Sequence, residues 1–268
     1  MRSETPILIK VSHKSDKSLQ EKKHWFLQQP GCNWLTKPIP DKNTPILNIT
    51  RQAVFLQNEG ECLSFHPSMA LLRLLNIFRG ESDRYLEATG LSPGDILLDA
   101  TLGLGTDALI GAWAVGEKGR VLAVEHSPIL SAIVQDGLAS LIKGPLPQVK
   151  NPNKRKAWHV LSQAARRIQI HWGNHVDFLK HQPDSSVDVV YFDPMFRLTR
   201  IQSSSIRPLH YWSNLEALSE EAVYEARRVA RKRIVLKERK NSSEFARLGF
   251  TIIPGGKYSP VDYGVILI

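Results

Sequence analysis

Two corners of the chain hold residue types that could do chemistry, and the first is Asp193-Pro194-Met195-Phe196 at the end of the apolar run Val187–Phe192. The run is short, β-branched and aromatic, the composition of a strand buried on both faces of a parallel sheet. Pro194 stops it, because proline cannot donate to a ladder and restricts the residue before it. The Asp193 carboxylate is thereby left at the carboxyl end of a buried strand, where open α/β sheets bind their ligands. An acid, a proline-fixed carbonyl and an aromatic ring two positions on suit a planar amine. Asp193 and a nearby backbone carbonyl would accept its two N–H protons while Phe196 stacks on the ring. A strand that ends in an Asp-Pro turn is the plainer reading of the same residues.

The second corner is Leu98-Asp99-Ala100-Thr101-Leu102-Gly103-Leu104-Gly105-Thr106-Asp107-Ala108, which follows an expected strand and opens a helix. Glycines there let a ligand approach the backbone, and the first turn of a helix offers free N–H groups. Gly103-x-Gly105-x-x-Ala108 also meets the looser dinucleotide fingerprint, so the loop alone names no ligand. Glu125 ends the next expected strand about 20 residues on, where an acid takes ribose hydroxyls. A structural turn with a strand-end acid is the alternative. Asp99 separates the candidate cofactors, since a carboxylate suits the ammonium group of S-adenosylmethionine and repels a pyrophosphate. The Asp193 corner has no obvious use in hydride transfer, which speaks against a nicotinamide-dependent oxidoreductase. It makes sense for methyl transfer to an amine.

Five segments carry a resemblance: Leu98 to Ala108, Glu125-His126-Ser127-Pro128, Asp136-Gly137-Leu138, Val190 to Phe196, and Ala226 to Ala230 with the Arg233–Lys237 strand. Through them, residues from Phe65 to about Lys240 resemble the S-adenosylmethionine methyltransferase family that includes the bacterial small-subunit ribosomal RNA guanine-N2 methyltransferase. The resemblance implies cofactor contacts at Thr106 and Asp107, at Glu125 and His126, near Gly173-Asn174, and at Asp193. Asp99, Thr101, Gly103 and Gly105 complete the candidate cofactor set. Asp193, Pro194 and Phe196 are the candidate catalytic corner, for an exocyclic amine such as guanine N2 in ribosomal RNA. Two departures bear on the acceptor. The guanine-N2 enzymes usually have a proline after the aromatic and then a Lys- and Ser-rich stretch, whereas Arg197, Arg200, Ser203 to Ser205, Arg207, His210, Tyr211 and Trp212 follow here. The Phe65-His66-Pro67-Ser68-Met69 entry looks more like a branch found in Gram-positive bacteria. The acceptor that competes with RNA is the amine of a protein or small molecule.

The elements that must position these corners alternate. Strands are expected at 96–99, 121–125, 168–171, 187–192 and 234–236. Helices are expected at 106–115, 129–141, 157–167 and 215–231, with a helical turn at 176–180. The pairing of 250–253 with 261–268 then closes the chain. That order predicts an α/β fold, a Rossmann-like doubly wound sheet with an antiparallel terminal hairpin (the class I methyltransferase pattern), over residues 66–268. Ahead of the sheet, Pro67–Phe78 reads as a largely buried helix whose polar stripe is Arg73, Asn76 and Arg79, and Ser82 as the cap of a short helix ending at Gly90. Residues 196–212 have little periodicity and read as a loop over the site. Residues 1–65 read as a small N-terminal α/β appendage. It has a strand at 7–11, a helix at 19–28, a Pro-rich connection, and a hairpin in which 46–56 and 62–65 flank Asn58-Glu59-Gly60.

At 268 residues with 42% hydrophobic content the chain can build a real core. Its net charge of +9 favours a polyanionic partner. Between Asp136 and Asp177 no acidic residue occurs, while Lys143, Lys150, Lys154, Arg155, Lys156, Arg166 and Arg167 do. Pro145, Pro147 and Pro152 are expected to keep the start of this insert irregular. RNA contact through Lys143–Arg167 is the expectation, with Arg227, Arg228, Arg231, Lys232 and Arg233 as a second cluster. Solvated helix faces are the alternative. Tyr211 and Trp212 could stack on a base or pack on the following helix. His171 and His175 are four apart, but Gly173 and Asn174 between them break a helical register, so no metal site is expected. Two cysteines make neither a disulfide framework nor a zinc set, and no run is long enough for a membrane span or signal peptide. A cytoplasmic location is expected.

Overall fold

The computed structural model describes residues 5–37, 43–195, 206–256 and 259–268, with 206–208 by backbone alone. The first elements are β1 (Pro6–Val11), α1 (Lys17–Leu27), β2 (Asn33–Leu35), β3 (Ile46–Ile49), β4 (Val54–Asn58) and β5 (Glu61–Leu63). They form a five-stranded sheet in the order β2-β1-β3-β4-β5. Glu59 and Gly60, at φ 49° and 82°, make the two-residue turn between β4 and β5, as a type I′ hairpin requires. The expected 46–56 arm is two strands, because the Thr50 side chain and backbone close a turn onto Ala53. The short strand β2 went unforeseen.

The remaining elements are α2 (Ser68–Phe78), α3 (Arg84–Thr89), β6 (Ile96–Asp99), α4 (Thr106–Ala114), β7 (Arg120–Glu125), α5 (Pro128–Lys143), α6 (Pro152–Ala165) and β8 (Ile168–Trp172). They are followed by α7 (His175–Lys180), β9 (Val187–Phe192), α8 (Ile206–Trp212), α9 (Glu220–Val229), β10 (Ala230–Arg239), α10 (Glu244–Arg247), β11 (Thr251–Ile253) and β12 (Val261–Leu267). Seven strands join in the order β11-β12-β10-β9-β6-β7-β8. β12 runs antiparallel between β10 and β11, and the pairs from β10 to β8 are parallel. This is the expected doubly wound sheet with its antiparallel ending. Strand order reverses between β6 and β9, where such sheets open a crevice. Asp99 pairs with Tyr191 in that register, which sets Asp193 two residues further out beside it.

All six residues of β9 are buried, as a strand covered on both faces should be. Alternation sends Leu97, Val189, Tyr191 and Val235 into a core with α2, α4 and α6. Leu98, Val190, Phe192 and Ile234 face a second core with α7, α9 and α10. A third cluster joins β1, β3, β4 and α1 to Ile129, Leu130, Ala132 and Ile133 of α5 and to Trp212 of α8.

Several boundaries differ from expectation for local reasons. The short helix is capped by Asp83, whose carboxylate accepts from Leu86 N (3.2 Å), and not by Ser82. The helix expected at 157–167 starts at Pro152, because Asn151 caps it and proline fits the first helical position. The helix expected at 215–231 is only α9. Ser219 caps it late, and Ala230 already pairs with Val187 in the sheet. Residues 206–212 are the helix α8 and not loop, while 196–205 lie outside the described residues. On α2 only Ala70, Leu71 and Leu74 are buried, and Met69 and Leu72 are 56% and 49% exposed.

Gly137 sits where α5 meets the end of the first sheet, and an added Cβ would lie 2.1 Å from Phe65 Cγ. Gly137→Ala is therefore expected to lower stability by up to ~2 kcal/mol, overpacking outweighing the helical gain. In a Phe65→Ala background the same change should stabilise by ~1 kcal/mol. Urea midpoints of the four proteins check this, and a stabilising Gly137→Ala in the presence of Phe65 would refute the packing account.

Candidate active site

A cavity of about 570 Å³ opens at the carboxyl ends of β6, β7, β9 and β10. Asp99, Thr101, Gly103, Thr106, Asp107, Glu125, His126, Asp193 and Pro194 all line it. Gly105 does not line it. At φ 74° it makes the left-handed turn into α4. Gly173 and Asn174 also stand outside the lining. Gly173 N donates to the Glu125 carbonyl (3.0 Å), and the Asn174 side chain caps α7 by accepting from Val176 N (2.7 Å). Phe196 lies outside the described residues. Trp212 is not a base platform, since it is buried in the third cluster, and Tyr211 packs edge-on against it. His175 lines the cavity against the Phe192 ring, and His171 turns to Phe178. Among the described residues no group of three His, Cys, Asp or Glu is set to hold a metal.

The glycine corner has the form of a nucleoside cradle. At Gly103, φ is 53° and an added Cβ would meet nothing within 4 Å, so the backbone faces open space. Glu125 Oε2 accepts from Gly103 N (2.9 Å) and Oε1 from Ser127 N (2.8 Å), which ties loop and strand end together. Each oxygen keeps lone-pair capacity for a further donor. Burial pushes the Glu125 carboxyl up to about 7, against the pull of those backbone donors. Asp99 is 1% exposed and accepts from Thr101 N (3.2 Å). No Lys or Arg pairs with it among the described residues. Burial, with the Asp107 carboxylate nearby, pushes Asp99 well above the ordinary carboxylate range. A buried acid without a cation fits a ligand that carries an ammonium group.

The acid corner is more crowded than its sequence implies. Asp193 N donates to Thr101 Oγ1 (2.6 Å), and Lys237 Nζ lies 2.6 Å from Asp193 Oδ2. The same ammonium reaches Asp107 Oδ2 at 3.3 Å, where the Tyr191 hydroxyl also donates (2.8 Å). Arg73 donates to Asp107 Oδ1 and clamps Asp83 with two bonds of 2.8 Å each. Arg73 thus points inward and is no solvent stripe of α2. Burial raises the Asp107 carboxyl, but Lys237, Arg73 and Tyr191 outweigh it and hold Asp107 at about 2. Burial and the Asp107 charge push Asp193 up, with Lys237 opposing. Arg73, Tyr191, His175 and Lys237 went unrecognised as site residues in the sequence. Tyr191 and Lys237 both lie inside segments of the resemblance, and the strand-end position of Lys237 offered a further signal.

A family model described as "Putative SAM-dependent methyltransferase" matches residues 68–251, more than half of the chain. The chain belongs to that family. Its cofactor is S-adenosylmethionine, which the cationless Asp99 and the open Gly103 backbone fit. The Bacillus subtilis protein YpiP is 40% identical over 208 residues, 78% of this chain and 76% of its own length. The "Ribosomal RNA small subunit methyltransferase J" of Laribacter hongkongensis is 35% identical over 144 residues, which are 53% of this chain and 45% of that one. The protein of the same name from Buchnera aphidicola is 25% identical over 77% of this chain and 78% of its own. The solved structure of a SAM-dependent methyltransferase from Neisseria gonorrhoeae superposes with a TM-score of 0.60 at 21% identity. It covers 98% of this chain and 96% of that one, and so shares the fold.

The raised Glu125 carboxyl has two consequences. The folded protein holds a proton that the unfolded chain releases, so this group's stabilisation is complete below about pH 4.5 and fades as pH rises through about 7. A ribose hydroxyl placed against Glu125 would donate to the ionised form. S-Adenosylhomocysteine is therefore expected to bind more tightly as pH rises from about 6 to 8, with proton release, and Glu125→Gln should remove the trend. Calorimetry in buffers of different ionisation enthalpy checks this. A pH-independent wild-type affinity would contradict it.

Proposed function

We propose that the chain transfers the methyl group of S-adenosylmethionine to the exocyclic N2 amine of a guanine in small-subunit ribosomal RNA. The observation that carries the reading is the Asp193-Pro194 corner on the wall of the cofactor cavity, beside Asp99. The names of the Laribacter and Buchnera relatives support RNA as the substrate class. When bound, the cofactor supplies an electrophilic methyl group on a sulfonium. The chain aligns the amine and excludes water. Asp193 Oδ1 and the Pro194 carbonyl accept the two N–H protons and aim the nitrogen lone pair into the cavity. As the new bond forms, the surplus proton on nitrogen passes to Asp193. Asp99 meets the cofactor ammonium and Glu125 its ribose. Thr101, Thr106, Asp107 and His126 complete the wall. A base paired in a duplex must be extruded first, at a cost of ~ a few kcal/mol that is least in a loop.

The basic insert supplies a remote anchor for the RNA. Lys143, Lys150, Lys154, Arg155, Lys156 and Arg166 are exposed, and none is ion-paired among the described residues. Lys154, Arg155 and Lys156 stand on the first turns of α6 and not on an irregular loop. Lys156 Nζ sits 5.1 Å from the Phe78 ring at the end of α2, whose first turn (Met69) lines the cavity. The length of α2, ~16 Å, therefore separates this patch from the Met69 part of the cavity wall. The second cluster is mostly committed within the protein. Arg228 pairs with Glu225 and Asp184, Arg231 with Asp188, Lys232 with Asp95 and Asp188, and Arg233 donates to the Ala88 carbonyl. No helix among the described residues is long and apolar enough to cross a membrane. A cytoplasmic location goes with a ribosomal substrate.

Labelled methyl transfer to small-subunit RNA, or to particles from a strain lacking the gene, is expected to yield N2-methylguanosine on nucleoside digestion. Asp193→Asn should cut that rate ~10²–10⁴-fold while S-adenosylhomocysteine still binds. Near-normal turnover in the variant would remove Asp193 from the reaction, and transfer to a protein fraction alone would replace RNA as the substrate.

Changing Lys150, Lys154, Arg155 and Lys156 together to Gln should weaken RNA binding and flatten its log–log salt dependence by ~1.5 to 3, since each single-strand phosphate contact contributes about −0.7. Cofactor affinity should stay unchanged, and stability should fall by no more than the ~1 kcal/mol of the Lys156–Phe78 contact. An unchanged salt slope would leave the insert a solvated face.

A further inference from the structure

Asp193 has a neighbour that an amine-binding corner does not by itself require. Lys237, near the carboxyl end of β10, pairs with Asp193 Oδ2 at 2.6 Å and with Asp107 Oδ2 at 3.3 Å. Asp107 is held from its other side by Arg73 and by the Tyr191 hydroxyl, and Arg73 is held by Asp83. Charges thus alternate along Asp83, Arg73, Asp107, Lys237 and Asp193. The string ends at the acceptor corner with a carboxylate whose counter-charge is already supplied. Among the described residues, Asp193 Oδ1 takes no hydrogen bond, so one oxygen remains for an incoming donor.

That arrangement discriminates by charge. A neutral aromatic amine donates an N–H to Oδ1 and brings no charge near Lys237. An alkylammonium brings a second cation next to the first, and it has no lone pair until it loses a proton. We propose that Lys237 is a positioning residue that restricts the acceptor to a neutral, planar amine, because it neutralises Asp193 through one oxygen and leaves the other to an uncharged N–H donor. This rests on the amine reading of Asp193 given above. It deepens that reading by excluding lysine side chains and polyamines as acceptors.

Lys237→Met removes the nearest cation and leaves Asp193 facing Asp107, Asp99, Glu238 and the Tyr191 and Tyr263 hydroxyls, with Arg73 the remaining positive charge among the described residues. Burial and Asp107 already push Asp193 up against Lys237, so the carboxyl should rise further in the variant, by about one pH unit or more. The acid limb of the rate of transfer to RNA should move up with it, and Lys237→Arg should keep the wild-type limb. Carbon-13 titration of the Asp193 carboxyl with S-adenosylhomocysteine bound reads the same shift without any acceptor, so it decides the role of Lys237 even if RNA proves to be no substrate. Wild type should methylate RNA and leave a lysine-containing peptide untouched. An unmoved Asp193 titration in Lys237→Met overturns the proposal. Should that variant not fold, wild-type methylation of the peptide with a kcat/KM comparable to that for RNA overturns it as well.

Discussion

The site is organised by an imbalance of buried charge. Asp99, Asp107, Asp193 and Glu125 gather at the ends of neighbouring elements around one cavity, and the cations that pair within the group are Lys237 and Arg73. Burying a carboxylate is costly unless it is paired or hydrogen-bonded. Asp107 meets that condition fully, with two cations and a tyrosine hydroxyl, and it is the one acid held far on the ionised side. Asp99 has a single backbone donor and is driven the other way. Pairing is therefore concentrated on Asp107 and withheld at Asp99, which suits a ligand that carries its own ammonium group.

The same charges explain why the corners lie where they do. β6 and β9 are adjacent because strand order reverses between them, so Asp99 and Asp193 emerge side by side. β10 lies next to β9, and the pair Leu236–Phe192 leaves Lys237 as the next residue outward, level with Asp193. The ion pair at 2.6 Å follows from register as much as from attraction. α4 begins at the glycine turn and carries Asp107 in its first turn, where an acid also complements the helix dipole. One turn geometry thus serves the glycine loop and the charge string together.

Strand-end acids could be read from the sequence because their position is a local property. Asp99, Glu125 and Asp193 each close an apolar run, and the run itself fixes the end of the strand. Lys237 and Arg73 could not be read in this way, since their partners lie 130 and 34 positions away from them in the case of Asp107. A helical wheel assigns an arginine on α2 to water, but it cannot register that Asp83 and Asp107 await it on the inner side. The basic run 227–233 misled similarly, because Asp184, Asp188 and Asp95 take up most of its charges from other elements. The start of α6 was legible and was misread. Asn151 before Pro152 is a cap followed by a first-turn proline, yet Pro152 beside Pro145 and Pro147 made the start of the insert look irregular.

The N-terminal sheet acquires a purpose from the way α8 is held. Trp212 is buried in one cluster with Ile7, Leu47 and Phe26 and with Ile129 and Ile133 of α5. Leu209, Ser213 and Asn214, around that anchor, form part of the cavity wall. Leu209 and Trp212 of α8 are therefore held in the core of the first sheet and not in those of the second. α5 is the common support, because its first turn follows Glu125-His126 and its buried face carries the first sheet. Loosening the first sheet would displace that part of the wall, and Leu104 of the glycine loop packs against the same cluster. The first sheet thus supports one part of the cavity wall, and the doubly wound sheet supplies the strand ends that carry its acids.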